Sequence, residues 1–225
     1  MNFVSHVVIC AAQGGDADNL IGAAAPDLVP RASLPYAKQL SSSLSIGIAH
    51  HEAIDELFHN DRWFLDYQTM AATSMIDRGV PAGAAHLAGH VGIELLIDGV
   101  LLESDPRPQF WQMWDRLRDV DETTRSLVDP EHLERWNQWL AGFTGYIDPR
   151  RYGEPTYCAR IVAGISRRLL GSEVDDDHER QIASVLDAVR PTVRIWTAGL
   201  FGLLESARSV LDPDAGSRAR RMPVA

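Results

Sequence analysis

The sequence predicts an all-α fold, and three observations carry that reading. Apolar residues recur at helical spacing through most of the chain. No alternating strand runs longer than a few residues, and no Asn-Gly or Asp-Gly pair is framed by strand-like runs as in a hairpin. Proline and glycine fall at the edges of the periodic segments, where they start and stop helices. No internal repeat is seen.

The segment 14–35 reads as irregular, with a short helix at most over Asp18–Ala25, because Pro26, Pro30 and Pro35 interrupt anything longer. The serines from Ser41 to Ser45 form an N-cap region for the first strong helix, which runs to His59. A second helix covers Arg62–Arg78, stopped by Gly79. Pro81 opens a third, Ala82–Leu102, that ends before Pro106 and Pro108. A fourth is expected over Gln109–Leu127, and Asp129-Pro130 opens a fifth to Phe143. A sixth spans Pro155–Leu170. The last pattern, Asp176–Leu211, contains Pro191, where a kink or break is expected. One helical domain over residues 1–211 and a polar tail over 212–225 complete the expected organisation.

Composition narrows the function classes. The chain has 225 residues, 45% of them hydrophobic and 23% charged, which excludes global disorder. Cys10 and Cys158 are too few for a disulfide framework or a cysteine zinc site. The formal net charge of -10 argues against nucleic acid as a partner. No apolar run is read as a membrane helix, and the N-terminus lacks the basic start of a signal peptide. A cytoplasmic enzyme or binding protein is expected.

Histidine and acidic residues concentrate in the first hundred positions. His51, Asp55 and His59 follow one another at four-residue steps, so each side chain is turned by only about 40° from the last. His50 points about 100° away from that column. His86, His90, Glu94 and Asp98 form a second column. The second column sits on a segment that is apolar nearly all round and carries no Lys or Arg, which is the pattern of a central helix. Buried carboxylates lose several kcal/mol of hydration unless paired or metal-bound. Neutral imidazole plus carboxylate is a suitable ligand set for a divalent cation. His51, Asp55, His90, Glu94 and Asp98 are therefore the expected ligands of one or two ions. His6, Asp27, His59 and His86 are further candidates, with His59 and His86 as acid/base groups. Taken alone, His6 reads as a turn residue and Asp27 as a cap near Pro26. Trp111 and Trp114, and Trp136 and Trp139, are spaced for helix packing.

Met1-Asn2-Phe3 with His6, Leu20-Ile21-Gly22 with Asp27, Gly47-Ile48 with His51 and Asp55, and Ala88-Gly89 with Glu94 and Asp98 together resemble the acyl carrier protein phosphodiesterase family. The resemblance covers about residues 1–105. It implies an HD-domain-like helical bundle, a divalent metal (Mn, Mg, Fe or Zn) and hydrolysis of a phosphoester or phosphodiester. The chain departs from the family at its basic positions, where it has Glu52 and His86, and it adds His90. A small-molecule substrate is therefore expected rather than acyl carrier protein, which is acidic like this chain. The basic candidates for docking such a partner are Arg150, Arg151, Arg160, Arg167 and Arg168. Two other readings compete: an HD-like diiron oxygenase acting on a small metabolite, and a non-catalytic binding module.

Overall fold

The computed structural model describes residues 2–104, 107–171 and 173–199, and among them every regular element is helical. The elements are α1 Phe3–Ala12, α2 Ala17–Leu28, α3 Ser42–His59, α4 Arg62–Asp77 and α5 Ala82–Leu87. A π-helical turn over Ala88–Gly92 leads into α6 Ile93–Ser104. Then come α7 Pro108–Asp119, α8 Glu122–Arg125, α9 Leu133–Tyr146, α10 Pro155–Leu170 and α11 Asp176–Gly199. The all-α expectation holds. The expected tail over 212–225, and the last part of the expected helix to Leu211, lie outside the described residues.

Several local expectations are corrected. Residues 3–12 form a helix, so His6 is a helical residue and not part of a turn. Pro26 sits inside α2, whose last turn also carries Asp27. The helix expected over Gln109–Leu127 stops at Val120, which has φ +48° and caps α7 in the left-handed region. α11 passes through Pro191 without a break. Ala82–Ser104 is, by length and composition, apolar enough to cross a membrane, contrary to the sequence reading. Most of that stretch is buried inside the protein, as for a core helix.

The described chain divides into two compact units that interleave along the sequence. One contains residues 3–56 and 107–147. Within it α1 packs on α2, and α7 packs on α1, α2 and α9. Its aromatic core joins Phe3 to Phe110, Trp114 and Phe143, and Trp139 stacks on both Trp136 and Phe143. The paired tryptophans thus serve packing. Asp16 caps α2 through a reciprocal pair of hydrogen bonds with Asn19, whose side-chain amide also donates to Ser43 O at the start of α3. Arg116 of α7 ties α2 down through Asp18 and the Ala17 carbonyl.

The other unit contains residues 57–106 and 148–199, besides Met1–Asn2. α10 packs on α11, α11 on α6 and α4, and α4 on α5 and the π turn. α6 is buried continuously from Ile93 to Leu102, which satisfies its apolar circumference. Phe58 and Trp63 both pack on Trp196 of α11.

Candidate metal centres

The expected ligands fall into two groups, one in each unit. In the first unit, donor atoms of His6, Asp27 and His51 lie within 4.8 Å of one another. His6 comes from α1, and α2 and α3 bring Asp27 and His51 to it by a close crossing at Gly22 and Gly47. A Cβ built on Gly47 would stand 2.2 Å from the Asn19 carbonyl oxygen and 2.8 Å from the Ala23 nitrogen. That closeness lets His51 Nδ1 donate to the Ala23 carbonyl at 2.8 Å. A carbonyl only accepts, so Nδ1 carries the proton and Nε2 keeps its lone pair when the ring is neutral. The His6 ring stacks on that of His51, with centroids 3.6 Å apart.

His6 is wholly buried, and neither ring nitrogen has a hydrogen bond. Asp55 Oδ1 stands 3.5 Å from its Nε2, longer than a well-formed bond. Burial, reinforced by the neighbouring His51, pushes the His6 pKa down to about 3, so the ring is neutral at physiological pH. Buried polar atoms without partners are rare and ask for a cause. A cation would supply one. His50, next in sequence, points elsewhere and bonds Gln13 Oε1 at 2.8 Å.

In the second unit the group is His59, His90 and Glu94. Nε2 of His59 and Nε2 of His90 stand 3.3 and 3.1 Å from the same oxygen, Glu94 Oε1. The two imidazoles are parallel within 7°, at 5.1 Å between centroids, and Phe64 meets both at its edge. Glu94 is buried. Desolvation would raise its pKa, yet the surrounding donors, His59 and His90 among them, hold it well below the usual carboxylate value. Gln68 Oε1 accepts from His90 Nδ1 at 2.8 Å. Gly89 permits this pairing, since a Cβ there would stand 2.5 Å from the Gln68 carbonyl oxygen.

His86 and Asp98 join neither group as the sequence spacing suggested. His86 is exposed on α5. The π turn interrupts the four-residue rhythm after it, so His90 and Glu94 converge without it. Asp98 is fully buried on α6, and its charge helps raise the Cys158 thiol pKa, after burial itself. Sequence reasoning missed Gln68, Phe64 and the Ala23 carbonyl. The last is backbone and has no sequence signal. Compared with protein-family models, curated proteins and solved structures, the chain matches none.

Proposed function

We propose that the protein is a metal-dependent hydrolase of the HD-like kind, acting on a small phosphoester, with its cation held by His6, Asp27 and His51. The observation that carries this reading is the buried imidazole pair. His51 has its tautomer fixed by a backbone carbonyl, a common feature of metal-ligating histidines. His6 is neutral, wholly buried and without a hydrogen bond beside it. The resemblance of the Met1–His6, Gly22–Asp27 and Gly47–Asp55 segments to the acyl carrier protein phosphodiesterases supports the same ligands. A divalent ion bound there would lower the pKa of a coordinated water and shield phosphoryl oxygens. Asp27 supplies the carboxylate charge of the set. Asp55, whose side chain is one-third exposed, is the carboxylate placed to exchange a proton with solvent beside His6 Nε2.

A small substrate fits better than an acidic carrier protein. Arg150 pairs with Asp148, Arg151 with Glu154 and Arg167 with Glu179, so much of the basic patch is neutralised locally. The test is metal analysis of untagged protein, followed by incubation with Mn²⁺ or Mg²⁺ and a panel of phosphomonoesters, read by released phosphate, and phosphodiesters, read by released alcohol and phosphomonoester. Turnover that His51→Ala abolishes supports the proposal. Stoichiometric metal with no ester of either kind hydrolysed refutes it, and oxygen uptake instead would replace it. Rapid loss of the prosthetic arm from phosphopantetheinylated carrier protein, read by mass spectrometry, would overturn the substrate size.

A further inference from the structure

We infer that His59, His90 and Glu94 form a second divalent-cation site, suited to a late first-row ion such as Zn²⁺ and leaving one coordination position open. Bond lengths of about 2.0–2.1 Å in a tetrahedral shell put neighbouring ligand atoms about 3.3 Å apart. The two nitrogen–oxygen separations, 3.1 and 3.3 Å, match that spacing before any ion is considered. Two imidazoles and one carboxylate are the protein ligands of an open zinc or non-haem iron site, with the remaining position for water or a ligand.

The surrounding residues support ligation. Gln68 Oε1 accepts from Nδ1 of His90, so Nε2 is the ring nitrogen turned toward Glu94 Oε1 and the one placed to ligate. Phe64 fixes the planes of both rings from one side. Glu94 is 6% exposed, while the His59 and His90 side chains are 34% and 39% exposed, so the group is open from the imidazole side. The π turn that carries His90 is a kind of irregularity often found at functional sites. This set shares no residue with the proposed hydrolytic centre, and its test is separate.

The experiment is a Co²⁺ titration of chelator-stripped protein, read by the visible d–d bands and by the equivalents bound. The His51→Ala variant removes the contribution of the other group. In that background, one equivalent with an intense four-coordinate spectrum is expected. Adding Glu94→Gln or His90→Ala should abolish it, while Gln68→Leu should weaken binding about 10- to 100-fold. Circular dichroism checks that each variant is folded, and the half-exposed His59→Asn serves if Glu94→Gln does not fold. No Co²⁺ uptake by folded His51→Ala protein overturns the inference. So does uptake that His90→Ala leaves unchanged. Neither result bears on phosphate release by the other centre.

Discussion

Gly47→Ala tests whether the α2–α3 crossing is what builds the imidazole pair. The new methyl would meet Asn19 O at 2.2 Å, Ala23 N at 2.8 Å and Gly22 Cα at 2.8 Å, all of them backbone. Ordinary contact begins at 3.4 Å, so the helices must separate by about 1.2 Å along the worst vector. No rotamer change can absorb that. Overpacking of this kind costs about 1–3 kcal/mol. Alanine in place of a mid-helix glycine returns about 0.5–1 kcal/mol. The separation also stretches the 2.8 Å bond from His51 Nδ1 to Ala23 O, and loss of a buried bond adds about 1–3 kcal/mol. A net destabilisation of about 3 kcal/mol is expected, or a fall of about 6–12 °C in Tm for a chain of this size. Urea unfolding at constant m-value measures it. Metal affinity of the first-unit group should fall with it, because Nε2 of His51 is no longer held. A Gly47→Ala protein more stable than wild type by the helix-propensity gain alone would refute the close crossing and the ligand geometry built on it.

Two further outcomes are expected. Metal-free protein should lose stability as pH falls from about 6.5 towards 3, because His6 and His50 are buried neutral with pKa values near 3 and 4 while the unfolded chain protonates both. Their stabilisation is fully present above pH 6.5, so urea midpoints that stay flat across this window would contradict the burial of both rings. Val120→Gly should raise stability by about 0.5–1 kcal/mol, since a β-branched residue at φ +48° is strained where glycine is not. A lower midpoint would mean that the Val120 side chain contributes more by packing than its backbone costs.

Much of the fold was legible because chain punctuation and structure agree. α10 has the predicted bounds, with proline in its first turn and Gly171 in the left-handed region after its end. α3 likewise begins at the serine cluster, and α4 ends just before Gly79. α1 was missed because Phe3–Cys10 is buried on every side, so no polar face beats out a period. Val120 was missed because the turn uses no glycine, and Pro191 misled because a long packed helix tolerates one lost bond. At the candidate centres, residue type and spacing found the donors but not their grouping. His51, Asp55 and His59 are one column on paper. The chain passes from one unit to the other between Glu56 and Leu57, and that column is divided there. The π turn similarly detaches His86 from His90, and four-residue counting has no means of anticipating it.

The interleaving of the two units has a consequence for biosynthesis. Phe3 packs on Phe110, Trp114 and Phe143, so α1 lacks its aromatic partners until more than a hundred further residues have been made. At about 5–20 residues per second, the 91 residues between Glu56 and Ile147 take about 5–18 s to translate. During that interval Phe3–Cys10, a stretch buried throughout in the finished protein, is exposed to whatever holds nascent chains. No stop codon placed within the first 147 residues leaves either unit whole. A product truncated within those residues is therefore a substrate for triage and not a working half.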